Sequence, residues 1–303
     1  MKRTENPLYG ITELGLLHLL KVSKAELYKA IADGYSPCVI KDKKDKKRKI
    51  EIPNDLLCKL LKDCLVHLHK LDCPEYNKCG WPKQNALKNA QAHVGNFVRI
   101  AADITDYYPN TKPIYVREGL KRVLNISERA LDLIMGMVIY NGHIPTGAPT
   151  STILAFIAHQ ELFDEINDEM KKRDIKFTLY ADDITLSAKH GITRAEICYI
   201  QSVLNKHGLK LKNKKTKFYD YKKAHITGYY ISQNGKLSVP YWIGNTIIKK
   251  LKDTPIKKMD LYQIKSLLGY INYQRQLDKR AFNVTRIRAI KQLKKLQENG
   301  KGQ

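Results

Sequence analysis

Residues 175–187 read Ile175-Lys176-Phe177-Thr178-Leu179-Tyr180-Ala181-Asp182-Asp183-Ile184-Thr185-Leu186-Ser187. Ile175, Phe177 and Leu179 alternate with polar neighbours on one side, and Ile184 and Leu186 alternate with Thr185 and Ser187 on the other. Period two on both sides of a tight acidic turn predicts a β-hairpin that pushes Asp182 and Asp183 out at its tip. Adjacent carboxylates repel each other, and sharing a divalent cation relieves that cost. A two-metal site for phosphoryl transfer needs such a cluster, with the metals roughly 3.5–4 Å apart. By itself the pair also fits a solvated turn. A carboxylate from another strand decides between the two.

Asp103 is the candidate. Phe97 to Asp103 reads as an apolar strand ending on an acid, and it opens Asp103-Ile104-Thr105-Asp106-Tyr107-Tyr108-Pro109. Alone, that acid also suits a helix N-cap or a turn. Between Asp103 and the hairpin lies Ile144-Pro145-Thr146-Gly147-Ala148-Pro149-Thr150-Ser151. Its Pro and Gly suit backbone that must approach another surface, and its small residues suit entry into a helix.

Charge points to the partner. The 303 residues carry 54 Lys and Arg against 30 acids, a net charge of +24. That excess suggests a polyanion, most simply nucleic acid. Seven bases and two acids fall within Lys41–Lys49, and 16 bases against 4 acids fall from Gln233 to the end. Two basic clusters flanking an acidic centre suit a nucleic-acid groove between them, although charge runs also form plain solvated faces. No apolar run reaches the ~18–20 residues of a membrane span, and the N-terminus lacks the apolar core of a signal peptide. The six cysteines, Cys38, Cys58, Cys64, Cys73, Cys79 and Cys198, lack paired metal-ligand spacing. They read as small apolar groups in a reducing compartment, and the expected location is cytoplasmic.

Apolar spacing predicts helices over 12–32, 53–71, 113–140, 150–171 and 193–207, with a strand over Arg48–Pro53 leaving the basic loop. Asn234-Gly235 between β-rich runs predicts a hairpin. After Pro240 the chain turns helical and basic, with Leu261, Ile264, Leu267, Leu268 and Ile271 on one face. Tyr262, Tyr270 and Tyr273 interleave with bases there and suit either stacking on unpaired bases or core packing. The class is α+β, with no internal repeat.

The order of these segments resembles a reverse transcriptase. The strand with Asp103 looks like palm motif A, Pro145-Thr146-Gly147 like motif B, and Tyr180-Ala181-Asp182-Asp183 like motif C. Lys214-Lys215-Thr216-Lys217 resembles motif D, and the Asn-Gly hairpin resembles the primer-grip motif E. Arg48-Lys49-Ile50-Glu51-Ile52-Pro53 matches the fingers pattern Arg-x-Ile-x-x-Pro. Two segments narrow the resemblance to retron reverse transcriptases: Asn89-Ala90-Gln91-Ala92-His93, an Asn-Ala-x-x-His pattern, and Ile226-Thr227-Gly228, where Val-Thr-Gly is usual. Thr146 stands where many reverse transcriptases have Gln, and Tyr107-Tyr108 where Phe-Phe is commoner.

The resemblance implies a right-hand polymerase: fingers over 1–97 together with the helices of about 113–145, a palm with an antiparallel sheet over 98–232, and a short helical thumb over 233–303. It implies that Asp103, Asp182 and Asp183, with the Ile104 carbonyl, hold two Mg²⁺ ions for attack at the α-phosphorus. It makes Arg48, Tyr108, Gly147 and Lys215 the dNTP-binding residues, with Tyr108 the steric gate against a 2′-OH. It assigns Asn89, Ala90, His93, Ile226, Thr227 and Gly228 to the RNA; for Asn89 and His93 a buried pair satisfied by backbone is the competing reading. The implied partners are a structured non-coding RNA (msr-msd), its branched msDNA product primed from an internal guanosine 2′-OH, dNTPs, and a separately encoded effector in anti-phage defence. Other readings are a group II intron-like or abortive-infection reverse transcriptase, and a non-catalytic RNA-binding scaffold.

Overall fold

Caps and left-handed residues set the element order. The computed structural model describes residues 5–41 and 47–299, so most of the Lys-rich loop, residues 42–46, lies outside the described residues. The single helix expected over 12–32 is two: α1 (Glu13–Leu20) closes on Lys21 at φ 52°, and α2 (Lys24–Asp33) opens on a Ser23/Glu26 capping box. Strands β1 (Tyr35–Lys41) and β2 (Lys47–Pro53) form an antiparallel hairpin in which Ile40 faces Arg48. Helix α3 (Asp55–Leu68) starts on its Asn54 cap and buries Leu57, Leu60, Leu61, Cys64 and Leu68. Next come α4 (Ala86–Gln91), β3 (Val98–Asp103) and the single turn α5 (Tyr107–Asn110). The helix expected over 113–140 also splits, into α6 (Pro113–Leu124) and α7 (Glu128–Val138), because Asn125 turns left-handed and Ser127 caps the second of the pair. The 22-residue α8 (Ser151–Lys172) leads into β4 (Lys176–Tyr180) and β5 (Asp183–Ala188), then α9 (Arg194–Asn205). The rest is β6 (Lys217–Asp220), β7 (Ala224–Ile226), β8 (Tyr229–Ile231), β9 (Leu237–Ser238), α10 (Tyr241–Asp253), α11 (Leu261–Arg275) and α12 (Asn283–Asn299).

The central sheet runs β4-β5-β3-β6, antiparallel throughout, with β3 and β5 inside. Its apolar face joins α6 and α8 in one continuous core running from Leu8 to Leu211. Gly119 permits the close crossing of those two helices, since a Cβ there would lie 2.6 Å from the Ile157 carbonyl oxygen. The alternate face carries Thr178, Thr185 and Ser187, and these are buried too. Alternation in the hairpin therefore separates two covered faces rather than a core from water.

A second sheet, β7-β8-β9, packs its apolar residues with Ala90 of α4. Its last turn differs from the expected two-residue Asn-Gly turn. Ile231 pairs with Leu237, so residues 232–236 form the connection, closed by hydrogen bonds between Ser232 and Lys236. The C-terminal helices bury Ile243, Ile247, Ile264, Leu267 and Ile271 in a core of their own. Leu261 stays outside that stripe at 40 % exposed. Tyr262 is 80 % exposed, whereas Tyr273 stacks on Tyr229 at 5.2 Å and donates to the Gly228 carbonyl (2.8 Å). All six cysteines are free thiols. No helix among the described residues is long and apolar enough to cross a membrane.

Candidate active site

Register brings the acids together. Asp103, the last residue of β3, faces Asp183, the first of β5, and Tyr180 faces Asp183 across the hairpin. Ala181 and Asp182 are thus the two loop residues. Ala181 takes φ 54°, a conformation costly for a residue with a Cβ. The Asp182 carbonyl accepts from the Ile104 N–H (2.8 Å), which ties the turn to the backbone just beyond β3. The tip does not stand out in water: Asp103 is 8 % exposed, and Asp182 and Asp183 are half-buried.

Burial, followed by the Asp182 and Asp103 charges, pushes Asp183 up to about 7. Burial and Asp103 raise Asp182 as well, with Lys215 and Arg48 among the groups opposing the rise. Lys215 Nζ sits 2.7 and 2.9 Å from the two Asp103 oxygens. Among the described residues no group of three or more His, Cys, Asp and Glu is set to hold a metal, and Lys215 pairs with the Asp103 carboxylate. The donor chemistry nevertheless fits hard divalent cations: Asp103 and Asp183 face each other on adjoining strands with Asp182 in the loop, and the raised pKa values of Asp182 and Asp183 say that their negative charge is under-compensated.

That imbalance has a sign. An acid with a raised pKa in the folded state stabilises fully below its unfolded value of 3.8 and loses that contribution as pH climbs through about 7. In divalent-free buffer at alkaline pH, Asp183→Asn is expected to raise stability by about 1–3 kcal/mol, after allowance for solvent screening. The gain should vanish in acid. Chemical denaturation of both proteins across that range is the check, and a variant no more stable than wild type at alkaline pH would contradict it.

Tyr108, on α5, is half-buried near Asp182, and its hydroxyl meets Thr152 Oγ1 of α8 at 2.9 Å. Arg48 reaches the site from β2, close enough to favour the ionised form of Asp182. Gly147 approaches that same strand: at φ 124°, its Cβ position lies 3.2 Å from the Glu51 carbonyl oxygen. Glu51 N–H donates to the Thr146 carbonyl (2.8 Å), and its carboxylate accepts from the Thr146 N–H (2.9 Å) and meets His143 at 3.1 Å. The surface next to Gly147 is therefore β2. Gly147→Ala should destabilise by about 1–3 kcal/mol through backbone strain, measured by denaturant unfolding.

A cavity of about 560 Å³ opens from Asp103, Asp183 and Lys215 past Thr185 and Lys217 to Thr227 and Gly228. Asn89, Ala90, His93 and Ile226 are fully or almost fully buried, and of these four Ile226 lines the cavity. The His93 ring nitrogens meet the Ser187 and Thr178 hydroxyls, both at 2.7 Å, and burial pushes the ring down to about 3. Side-chain hydroxyls, rather than backbone, satisfy it. Asn89 Nδ2 lies 3.3 Å from Thr227 Oγ1, and Thr227 donates to the Ala86 carbonyl (3.0 Å). Thr227 itself adopts φ 42°, an outlier for a β-branched residue. Glu51, Thr152, Thr178 and Ser187 are participants that the motifs do not single out. Thr178 and Ser187 are foreshadowed only by their alternation in the hairpin.

Residues 40–231 match the family described as reverse transcriptase (RNA-dependent DNA polymerase). The chain is 23 % identical over 242 residues to the retron Ec83 reverse transcriptase of Escherichia coli, covering 72 % of this chain and 75 % of that protein. It is 30 % identical over 136 residues to the retron Ec86 reverse transcriptase of E. coli, covering 44 % and 42 %. For the retron Ec48 reverse transcriptase of E. coli the figures are 25 % over 141 residues, covering 45 % and 34 %. The chain thus spans well under two thirds of the Ec48 and Ec86 proteins. Among solved structures, apo telomerase from Candida tropicalis, truncated from its C-terminal domain, aligns with TM-score 0.53 at 12 % identity over 69 % of this chain and 55 % of that one. Telomerase from Candida albicans in complex with a TWJ fragment of telomeric RNA aligns with TM-score 0.53 at 11 % identity, over 93 % and 62 %. The shared architecture is the right-hand polymerase fold.

Proposed function

The chain belongs to the reverse transcriptase family, and from that premise we propose that it is an RNA-directed DNA polymerase of the retron kind. It copies a cognate structured RNA (msr-msd) into branched msDNA from an internal guanosine 2′-OH, and it serves anti-phage defence with a separately encoded effector. The observation that carries the polymerase reading is the register that sets Asp103 against Asp183, with Asp182 in the loop between strands. The retron relatives and the Asn-Ala-x-x-His and Ile-Thr-Gly segments support the choice of RNA.

In this reading residues 1–97 with α6 and α7 are fingers, 98–232 palm and 233–303 thumb. Asp103, Asp182, Asp183 and the Ile104 carbonyl are the groups that would hold two Mg²⁺ ions. Bound there, such ions lower the pKa of the primer hydroxyl and neutralise the triphosphate. Arg48 supplies a guanidinium whose paired donors suit the β- and γ-phosphates. Tyr108 fills the space beneath the sugar. Lys215, released from Asp103, has a proton to give the departing pyrophosphate. Thr227 and Gly228 line the cavity leading away from the acids, and the basic C-terminal helices suit the phosphates of an A-form duplex.

The test is to purify the protein, extract its bound nucleic acid and treat it with RNase and DNase. A short DNA whose mobility shifts after RNase is the expected result; bound nucleic acid containing no DNA would overturn the reading. RNA choice is tested separately. Asn89→Ala and Thr227→Val should impair synthesis on the cognate RNA more than extension of a generic primer–template, and equal losses on both would make Asn89 and Thr227 packing residues alone.

A further inference from the structure

Two histidines 48 residues apart meet between α8 and the turn that follows α9. His159, fully buried on α8, has its Nδ1 2.9 Å from His207 Nδ1 and its Nε2 3.0 Å from Thr111 Oγ1. Thr111, also fully buried, bonds the Tyr107 carbonyl at 2.8 Å. The proton positions follow by elimination. A carbonyl only accepts, so the Thr111 hydroxyl spends its one proton on Tyr107. Toward His159 it must therefore accept, which puts a proton on His159 Nε2. Burial and His207 push the His159 ring down to about 3, so the ring is neutral and its Nδ1 bears a lone pair. His207 must then donate from Nδ1. Its own ring is fixed by stacking on Tyr115 of α6, at 3.9 Å and 11°.

This chain of bonds ends at the short element that carries Tyr108. Helix α5 is four residues long, too short to hold its own position. Its Tyr107 ring packs on His159 and Phe163 of α8, and two hydrogen bonds to α8 fix its orientation, Tyr108 to Thr152 and Thr111 to His159. Those partners are seven residues apart, two turns along one helix face. His207 locks the second bond from behind. It also follows α9 at the head of the segment whose Lys210 carbonyl accepts from Thr105 and whose Lys212 N–H donates to the Asp103 carbonyl, both at 2.7 Å.

Resting on the polymerase reading above, we propose that His207, acting through His159 and Thr111, is a positioning residue that fixes the Tyr108 ring and thereby sets discrimination between deoxy- and ribonucleotides. His207→Phe keeps a ring to stack on Tyr115 but removes the donor, and Thr111→Val keeps the shape but removes the hydroxyl. His207→Asn and Thr111→Ser preserve the hydrogen-bonding groups.

The experiment measures single-nucleotide incorporation by the full chain, with kcat and KM for dNTP and rNTP. His207→Phe and Thr111→Val are both expected to lower the dNTP-over-rNTP ratio of kcat/KM by roughly tenfold, mostly through a lower KM for the rNTP, because a small displacement of the gating ring suffices to admit the 2′-OH. His207→Asn and Thr111→Ser should hold the wild-type ratio. Wild-type discrimination in both His207→Phe and Thr111→Val would overturn the proposal. An independent readout is ¹⁵N NMR of the histidine rings, in which His159 should carry its proton on Nε2 and keep that state across neutral pH. A proton on His159 Nδ1 would also overturn it. Should the chain make no DNA on any template, the polymerase reading fails by itself, and the ring tautomer then decides the relay.

Discussion

Asp182→Ala combined with Asp183→Ala is expected to reduce DNA synthesis to below about a thousandth of wild type while leaving the protein folded and able to bind RNA. The two halves of that expectation have different causes. Synthesis fails because only Asp103 would remain of the three carboxylates that face one another across β3, the loop and β5. Folding survives because the lost groups are under-compensated charges, held above their ordinary pKa by burial and mutual repulsion. Their removal relieves cost in the folded state rather than adding to it. RNA binding is expected to survive because the basic C-terminal helices proposed to hold the RNA bury a core of their own. Asp220→Ala is the matched control. It sits on β6 opposite Val98, at the far end of β3 from Asp103, and is exposed. Extension assays and RNA gel shifts on both variants settle the matter: full extension by the double variant would remove the two-metal assignment, and joint loss of binding would make the acids structural.

The acid site was legible because its signals are local. Period-two alternation, an adjacent acid pair and a strand ending on Asp103 each occupy a few residues, and pairing follows from the hairpin's own geometry. The helix breaks were harder. Lys21 and Asn125 adopt left-handed conformations without a glycine or proline to announce them. The Ser23/Glu26 box and the Ser127 cap did mark the restarts, but apolar spacing continued through both breaks and masked them. Asn234-Gly235 misleads for a related reason. Ser232 offers hydroxyl and backbone bonds to Lys236, and those local bonds make a five-residue connection that competes with the tight turn. The Asn89–His93 segment shows the limit of motif reading. Its residue types suggest contact with a polar partner, and within the chain His93 finds one in the covered polar face of the sheet and Asn89 one in Thr227. Contacts such as His159 with His207, or Glu51 with Thr146, join elements distant in sequence and leave no periodic trace.

Tyr108→Val should admit ribonucleotides, lowering sugar discrimination by roughly a hundredfold while dNTP incorporation continues. The proposed gate is steric and depends on the ring being unable to move aside. Its hydroxyl is held by Thr152, its helix is docked on α8 a second time through Thr111, and burial surrounds the remainder. A 2′-OH beneath the sugar would have to displace that anchored ring. Truncation to valine opens the space without adding a polar group that could favour either sugar. Tyr108→Phe separates the ring from its tether: it retains the bulk, loses the bond to Thr152, and should fall between wild type and Val. Discrimination should not vary with pH near neutrality, because burial raises the Tyr108 hydroxyl above its ordinary range and keeps it protonated. The measurement is the ratio of kcat/KM for matched dNTP and rNTP on one primer–template. Unchanged discrimination in Tyr108→Val would refute the gate and leave sugar choice to the backbone around Asp103.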